Sequence, residues 1–289
     1  DPTEFINKLN TRKDKYKVEQ KINVSAGLDI VEKEIKKYEG VVIYDVHSET
    51  RNKILKFCYG NDIRAYSTTK VSDILIRGAE SLHIFDTPLL LYRNHGLSFE
   101  QRFLKRTMDI LVSALMLLIT SPIFLVASIA IKLYDGGPVF YRQARCTMNG
   151  KVFHIFKFRS MIVDAEKDGK SQPAADHDPR ITPVGRILRA TRLDELPQLI
   201  DILIGNMSLV GPRPERVEHV EKYTEDLAEF EYRLKVRGGL TGYAQIYGKY
   251  NTSPYDKLQL DLIYIQNYSI FLDIKLILMT IPALLGDEN

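Results

Sequence analysis

The sequence predicts an α/β region at the N-terminus, followed by an α-rich region that contains a membrane segment. Short apolar runs alternate with helical patterns over residues 1–97, which is typical of parallel α/β units. A long apolar segment follows at residues 110–133 and is charged only at Lys132. Because the composition changes abruptly between the two regions, we expect one domain over residues 1–97 and another over residues 98–289.

The composition is that of a globular protein and not of a protein with many membrane spans. Hydrophobic residues make up 45% of the 289 residues, and charged residues make up 27%. The net charge of +3 is too small to indicate a nucleic-acid partner. Two cysteines indicate no disulfide framework, which fits a reducing compartment. The chain starts at Asp1 with neither a methionine nor a signal-peptide pattern, so we expect it to be part of a longer protein.

The N-terminal region is predicted to alternate between helices and strands. Helical patterns cover residues 3–10, 30–38 and 48–59, and strand patterns cover residues 41–44 and 62–66. Residues 80–97 are interpreted as a final strand and a linker that ends near residues 94–96. Since no glycine-rich phosphate loop precedes these elements, we expect that the first strand lies upstream and that this region binds no nucleotide.

The apolar segment is long enough to cross a bilayer, because about 24 residues at about 1.5 Å each match the hydrocarbon thickness. Pro122 near its centre interrupts the helical hydrogen bonds, and Ser121 can bond to a backbone group that Pro122 leaves free. Basic residues at both ends favour two cytoplasmic ends: Arg102, Lys105 and Arg106 on one side, and Lys132, Arg142 and Arg145 on the other. A re-entrant helix broken at Ser121 and Pro122 and an ordinary kinked transmembrane helix are equally compatible with these features.

Two later segments have helical patterns. Residues 196–204 place five apolar side chains on one helical face: Leu196, Leu199, Ile200, Leu203 and Ile204. Residues 270–285 are strongly apolar and are interrupted only by Asp273 and Lys275. This C-terminal segment is short for a span, and it fits equally a helix in the membrane interface and a helix in the core.

The segment around the adjacent carboxylates of Asp194 and Glu195 has the highest density of charged residues that could form a catalytic site. Three basic residues lie just upstream: Arg186, Arg189 and Arg192. Since neighbouring residues do not share a helix face, the two carboxylates are expected to do different work. One can attack phosphorus, and the other can hold a divalent cation that neutralises a pyrophosphate. The ordinary interpretation is a capping box from Thr191 to Asp194, and it is the better one for this match in isolation.

Two further clusters contain restricted or aligned cations. Arg213 lies between Pro212 and Pro214, which limit where its guanidinium can point and so favour phosphate recognition. Lys157 and Arg159 alternate with apolar residues and would share one face of a strand, where they could cradle a phosphate. Taken alone, each cluster is better explained by a solvated surface loop or by a charged outer strand face.

The remaining candidates carry little weight by themselves. Residues 235–248 are rich in glycine and could approach a nucleobase or a sugar closely. The histidines at positions 154, 177 and 219 lack the spacing of metal ligands. Because the sequence contains neither a nucleophile elbow nor a Walker loop, serine hydrolases and P-loop enzymes are not expected.

Taken together and in this order, these segments resemble the bacterial sugar transferase family, the monotopic polyprenol-phosphate phosphoglycosyl transferases. The resemblance covers about residues 98–286. It rests on Lys105, Arg106 and Asp109, on Ser121 and Pro122, on residues 157–159 (KFR), and on residues 193–198 (LDELPQ), 207–214 (MSLVGPRP) and 239–242 (GLTG).

The resemblance implies a fold and a location. Residues 1–97 look like the end of the modified Rossmann-like, CoA-binding-like domain of the larger members, which carry transmembrane helices upstream. The catalytic domain would be α-rich and monotopic, with amphipathic interfacial helices and a re-entrant membrane helix over about residues 107–133 that breaks at Ser121 and Pro122. Such enzymes lie at the cytoplasmic face of the bacterial inner membrane.

The resemblance also implies a covalent mechanism. Asp194 would attack the sugar-bearing phosphorus of a UDP-sugar, UMP would leave, and a polyprenol phosphate would attack the phosphosugar-aspartyl intermediate. Glu195 resembles the ligand of Mg²⁺, which is the expected cofactor. The residues that match phosphate-binding positions of the family are Lys157, Arg159, Arg189 and Arg213. Those that match positions in the pocket for the UDP-sugar are Gln143, Arg145, Gly242 and Gln245.

The expected activity is transfer of a hexose 1-phosphate, with glucose or galactose favoured, to undecaprenyl phosphate for exopolysaccharide or capsule synthesis. The partners would be the UDP-sugar, the polyprenol phosphate and membrane lipid, with no nucleic acid, and a homodimer is compatible with the apolar surface. The main alternative is a non-catalytic, membrane-anchored scaffold or regulator that binds nucleotide sugars, and direct transfer without a covalent intermediate is another. Asn206 departs from the acid that is frequent at this position in the family, which leaves a metal or charge role there open.

Overall fold

The computed structural model describes residues 2–11, 14–92, 96–163, 165, 178–248 and 252–285. The chain divides into two compact units, residues 1–70 and residues 71–289. The division lies at residue 70 and not at the expected residue 97, because the segment that starts at Val71 packs within the second unit. The predicted linker near residues 94–96 lies outside the described residues except for Gly96.

The first unit alternates helices and strands, as predicted. Its elements are α1 (Pro2–Asn10), α2 (Leu28–Ile35), β1 (Gly40–Ile43), α3 (Ser48–Gly60) and β2 (Arg64–Ser67). β1 and β2 are parallel and are connected through α3. Five side chains form the core: Val31, Ile35, Ile43, Ile54 and Cys58. The α/β character is therefore confirmed, whereas a Rossmann-like identity stays a prediction.

The second unit combines helices with two-stranded sheets. Its elements are α4 (Val71–Arg77), β3 (Glu80–Ile84), β4 (Thr87–Leu91), α5 (Phe99–Asp135), β5 (Phe140–Cys146), β6 (Val152–Phe158), α6 (Pro183–Ala190), α7 (Gln198–Ile204), β7 (Ser208–Val210), α8 (Val217–Asp226), β8 (Gly239–Thr241), α9 (Tyr243–Tyr247), α10 (Pro254–Gln266) and α11 (Ile270–Leu285). The pairs β3–β4 and β5–β6 are antiparallel, and β7–β8 is parallel. The predicted final strand at residues 80–97 is instead a hairpin, because the chain reverses where Phe85 has a φ of 52°.

The long helix α5 begins and ends at strong local signals. A capping box between Ser98 and Gln101 starts it, and Gly136 ends it in the left-handed conformation with a φ of 71°. By length and composition it is the one helix of the described residues that could cross a membrane, and 17% of its most apolar window is buried. Most of its apolar side chains therefore have no protein neighbours to cover them.

Helix α5 continues past Pro122 without ending. Proline has no N–H, so the carbonyl of Leu118 loses its usual donor four residues later. The hydroxyl of Ser121 donates to this carbonyl oxygen at 2.8 Å, as the sequence predicted. The predicted break at Ser121 and Pro122 is thus not an interruption of the helix, since the hydroxyl replaces the missing bond.

Both ends of α5 contact the same compact unit. Lys105 near the start forms a buried ion pair with Asp273 of α11 at 2.6 Å. Asp135 in the last turn forms an ion pair with Arg159, just after β6. A straight helix would separate these two anchors by about 45 Å. Between them, five buried residues follow one stripe of the helix: Asp109, Ser113, Thr120, Ala127 and Ile131.

Helix α11 buries Asp273 and Leu276 and exposes apolar side chains together with Lys275. Asp273 is fully buried, whereas Phe271 and Leu278 are 79% and 61% exposed. Leu276 packs in the core of the second unit while the exposed apolar side chains are uncovered, so the helix combines features of a core helix and of an interfacial helix. The apolar face predicted for residues 196–204 is partly wrong, because α7 buries Gln198 and Asp201 and exposes Ile204.

Candidate active site

Asp194 and Glu195 lie in a single 3-10 turn, Leu193–Glu195, between α6 and α7. Arg192 precedes the turn in the left-handed conformation, with a φ of 56°. The predicted capping box is wrong, because the hydroxyl of Thr191 donates back to the carbonyl of Ile187 at 2.8 Å. The turn therefore presents both carboxylates without using either to cap a helix.

Glu195 joins two cations from distant parts of the chain. Its Oε1 accepts from Lys157 Nζ at 2.7 Å and from Arg213 Nη2 at 2.8 Å. Lys157 comes from the end of β6, and Arg213 follows β7. The side chain of Arg213 is 41% exposed, whereas those of Lys157 and Glu195 are 19% and 16% exposed. The cluster thus opens to solvent on the side of Arg213.

The two adjacent carboxylates have opposite electrostatic environments. Burial raises the pKa of Glu195, but Arg213 and Lys157 outweigh burial and hold it well below its usual range. Burial also raises the pKa of Asp194, and Lys157 and Arg189 offset this only in part. Glu195 is therefore a fixed anion, and Asp194 is the more basic carboxylate of the pair.

The loop that carries Arg213 is held by its carbonyl groups. The carbonyl oxygen of Pro212 accepts from Gly239 N at 2.9 Å, and that of Pro214 accepts from Arg145 Nη1 at 3.1 Å. The carbonyl oxygen of Arg213 itself accepts from Arg233 Nη2 at 2.9 Å. Three consecutive fixed carbonyls hold the backbone at Arg213 in place, and its guanidinium donates to Glu195.

Gln143 and Arg145 of β5 lie beside this loop. Gln143 Oε1 accepts from Arg145 Nη2 at 2.8 Å. Burial and the nearby charge of Arg213 lower the pKa of Arg145 to about 10, and Glu215 offsets part of this effect. The structure thus brings this predicted pair next to the cluster of Lys157, Glu195 and Arg213.

Three predicted site residues are placed elsewhere. Arg159 pairs with Asp135 and donates to the carbonyl of Pro138 at 2.6 Å, so it anchors α5 and does not join Lys157 in a phosphate cradle. Gln245 donates to the carbonyl of Leu240 at 2.9 Å. Gly242 lies against Gly211, and a Cβ added at position 242 would lie 2.1 Å from the carbonyl oxygen of Gly211. This close backbone contact explains the glycine without any contact to the UDP-sugar.

A buried layer behind the cluster was missed from the sequence. Arg233 forms an ion pair with Asp261 at 2.8 Å while it holds the Arg213 carbonyl. Glu215, next to the proline loop, lies 3.8 Å from Arg233 and 3.7 Å from Lys257. Only the position of Glu215 beside Pro214 could have suggested this layer, since its partners lie far away in sequence.

A bound Mg²⁺ would find few protein ligands here. The described residues contain no group of three His, Cys, Asp or Glu side chains that could hold a metal ion. Mg²⁺, however, is commonly bound by one or two carboxylates together with waters and substrate phosphates. Asp194 and Glu195 supply that number of carboxylates, so the donor set fits Mg²⁺ bound together with a pyrophosphate.

The arrangement suits attack on phosphorus. Asp194 is buried and basic, and within the residues that the structure describes no side chain donates a hydrogen bond to it. Arg189, Lys157 and Arg213 supply positive charge around it, which would stabilise negative charge on a transferring phosphoryl group.

The chain matches a known protein family over most of the second unit. Residues 100–287 match the family described as bacterial sugar transferase. The UDP-glucose:undecaprenyl-phosphate glucose-1-phosphate transferase of Klebsiella pneumoniae is 39% identical over 246 residues, which is 83% of this chain and 51% of the relative. That of Escherichia coli is 42% identical over 211 residues, 71% of this chain and 44% of the relative. The chain thus spans about half the length of these curated relatives.

A third relative differs in the sugar that its name states. The UDP-N-acetylgalactosamine-undecaprenyl-phosphate N-acetylgalactosaminephosphotransferase of Aeromonas hydrophila is 40% identical over 186 residues, 63% of this chain and 44% of the relative. The relatives share undecaprenyl phosphate in their names and differ in the sugar. With the match over residues 100–287 and the placement of the motif residues around Asp194, this chain belongs to the bacterial sugar transferase family.

Proposed function

We propose that this protein transfers a sugar 1-phosphate from a UDP-sugar to undecaprenyl phosphate. The observation that carries the proposal is the pair of adjacent carboxylates with opposite environments, surrounded by Lys157, Arg189 and Arg213. The names of the relatives support the two substrates. A hexose, with glucose first and galactose second, is the favoured sugar, and exopolysaccharide or capsule synthesis is the favoured context.

Asp194 acts as the nucleophile in this proposal. One of its oxygens attacks the phosphorus that bears the sugar, the bond to the bridging oxygen breaks, and UMP leaves with the electron pair. The oxygen of the polyprenol phosphate then attacks the same phosphorus, and Asp194 is released as a carboxylate. Covalent catalysis allows the soluble donor and the membrane acceptor to react in separate steps.

The cations and Glu195 hold the phosphates. Glu195 forms ion pairs with both Lys157 and Arg213. A pyrophosphate would draw these two cations to itself, which would free the Glu195 carboxylate for Mg²⁺. The Mg²⁺ would supply charge neutralisation at the pyrophosphate.

The exposed apolar side chains of α5 and α11 support a membrane seating. The two ends of α5 contact one compact unit, while its middle presents uncovered apolar side chains. For both ends to remain on one face of the membrane, the helix would bend at Pro122, which is the re-entrant topology. The exposed apolar side of α11 would then lie in the interface of the same leaflet. We place this face in the cytoplasm, where the UDP-sugar is made.

Intact-protein mass spectrometry tests the reaction directly. The full chain in detergent is mixed with UDP-glucose or UDP-galactose and Mg²⁺, without a lipid acceptor. We expect the mass of one hexose phosphate to be added to the wild-type protein, and no added mass in Asp194→Asn. Adding undecaprenyl phosphate should remove the adduct.

A matched control separates loss of the nucleophile from loss of the fold. Asp226→Asn changes an exposed aspartate on α8 and should keep the adduct. If no donor gives an adduct although the protein transfers sugar phosphate to lipid, the nucleophilic role is wrong and direct transfer replaces it. If a nucleotide sugar binds but neither adduct nor product forms, the protein is a binding module.

A further inference from the structure

A second group of cations lies outside the candidate active site, at the start of α5. A cavity of about 420 Å³ is bounded by the first turns of this helix and by the residues before β8. Three guanidinium groups line it, those of Arg102, Arg106 and Arg237. Phe99 and Phe103 line it as well and are 71% and 68% exposed.

These three arginines share a cavity without a neutralising carboxylate. Arg106 donates to the carbonyl oxygens of Ile202 and Leu203 at 2.5 and 2.6 Å, which satisfies its hydrogen bonds but not its charge. Within the part of the chain that the structure describes, Arg102 and Arg237 form no ion pair. Three like charges around one cavity repel one another, and an anion inside it would relieve this repulsion.

The charges are close enough to affect one another. Partial burial lowers the pKa of Arg237, and the charges of Arg106 and Arg102 lower it further. Asp109 is the neighbouring acid that opposes this effect. Its Oδ1, however, already accepts hydrogen bonds from Ser208 Oγ at 3.0 Å and from the backbone N–H of Leu209 at 2.9 Å. Asp109 is therefore tied to β7 and does not fill the cavity.

The position of the cavity identifies the kind of anion. Guanidinium groups match phosphate oxygens in geometry as well as in charge. Phe99 and Phe103 are exposed in the charged first turns of α5, which border its apolar part. Aromatic and basic residues at such a boundary lie at the depth of lipid phosphates. Basic pockets between helices at this depth bind anionic headgroups.

We propose that the cavity formed by Arg102, Arg106 and Arg237 binds the phosphate of an anionic phospholipid headgroup. The lipid would take the place of the missing carboxylate and would fix the start of α5 at the membrane surface. The proposal rests on the membrane seating of α5 and not on the transferase reaction, since the cavity shares no residue with the cluster around Asp194.

Lipid binding tests the proposal without any enzyme assay. The full chain in non-ionic detergent is titrated with short-chain phosphatidylglycerol, short-chain phosphatidylcholine and inorganic phosphate, and bound ligand is counted by native mass spectrometry. We expect phosphatidylglycerol to bind best. The variant Arg102→Gln/Arg237→Gln should bind it about 30-fold more weakly, because each cation near a lipid headgroup contributes about 1 kcal/mol.

The control removes the same net charge elsewhere in the second unit. Arg77→Gln/Lys222→Gln changes two exposed residues of α4 and α8 and should keep the wild-type affinity. Arg106 is left intact because it holds α7. If the double variant fails to fold, the single variant Arg102→Gln, at an exposed position, should still weaken binding about fivefold.

Three outcomes overturn the proposal. Equal phosphatidylglycerol affinity in wild type and in the arginine variants shows that the cavity does not hold the lipid. An equal loss in the control variant shows attraction by general charge only. Binding of inorganic phosphate as tight as that of phosphatidylglycerol, lost in the same variants, shows a site for free phosphate. None of these outcomes depends on whether the protein transfers sugar phosphate.

Discussion

At the scale of single residues, two neighbouring carboxylates are made different by what folds around them. Glu195 accepts hydrogen bonds from Lys157 and Arg213, so its negative charge is stable in the folded protein. Asp194 is buried without such hydrogen bonds among the described residues, so its charge is costly and its oxygens remain available. This division of roles is expected when environments push two pKa values apart.

Asp194→Asn should stabilise the fold while it removes the proposed nucleophile. Because burial raises the pKa of Asp194, its ionisation stabilises the unfolded chain relative to the folded protein as the pH rises above about 3.9. We expect a higher Tm for Asp194→Asn than for wild type at pH 7. The difference should shrink as the pH is lowered towards about 4. Thermal unfolding in detergent across pH 4–8 measures this, and an equal or lower Tm at pH 7 would contradict it.

Glu195→Gln should weaken both phosphate handling and the dependence on Mg²⁺. The amide keeps the shape but cannot neutralise Lys157 and Arg213 or bind the metal as an anion. We expect turnover to fall about 10²–10³-fold, as when one charged stabiliser of a transition state is lost. The Mg²⁺ titration of activity checks this, with Glu225→Gln on α8 as an exposed control. An unchanged Mg²⁺ midpoint would remove Glu195 from the metal site.

At the scale of elements, α5 is anchored by buried polar contacts and not by apolar packing alone. Lys105 Nζ bonds to Asp273 at 2.6 Å and to the Tyr264 hydroxyl at 3.1 Å. Asp109 accepts from the backbone of Leu209 in β7. These contacts set the register of α5 against α10, α11 and β7, which an apolar interface would define less sharply.

Breaking one side of the buried ion pair should be worse than removing both sides. Lys105→Met leaves Asp273 without its cation, so we expect a loss of about 3–5 kcal/mol in the free energy of unfolding. The double variant Lys105→Met/Asp273→Leu should regain a large part, since Tyr264 can still donate to the carbonyl of Val210. Denaturant unfolding of the single and double variants gives the coupling. Additive losses would show that the two residues act independently.

At the scale of the whole molecule, the second unit combines the proposed phosphate site with a helix that is long and apolar enough to cross a membrane. The same strand, β6, ends in Lys157 of the cluster and leads directly to Arg159, which holds the last turn of α5. The distance between the cluster and the last turn of α5 is therefore fixed by two residues of chain. This link is suited to a reaction that joins a soluble donor to a lipid acceptor.

Cysteine labelling should place both ends of α5 on one face of the membrane. The native Cys58 and Cys146 are buried, so new cysteines can be labelled selectively. We expect Glu100→Cys and Lys151→Cys to react with an impermeant maleimide in inverted vesicles and to be protected in spheroplasts. Leu118→Cys, in the apolar middle, should stay unreactive in both. Labelling of positions 100 and 151 from opposite faces would establish a transmembrane helix instead.

The sequence alone predicted the elements whose signals are local. The βαβ pattern of the first unit follows from alternating apolar runs, and α5 follows from its apolar length between Ser98 and Gly136. Ser121 replaces the bond that Pro122 removes because both residues lie in the same helical turn. The carboxylates and Arg213 were singled out by their neighbours in the chain, and the family resemblance assigned them to one site.

Only the tertiary structure decided which charges meet. Lys157 joins Glu195 across 38 positions, whereas Arg159, two residues later, turns to Asp135. The inward-facing Asp273 also contradicts simple periodicity, because its burial depends on Lys105, which lies 168 positions away in sequence. A local pattern decides whether a segment becomes a helix or a strand, because backbone sterics and the spacing of buried side chains both act over a few residues. The partner of a buried charge is chosen by the packing of the whole unit, where an unpaired charge is too unstable to persist.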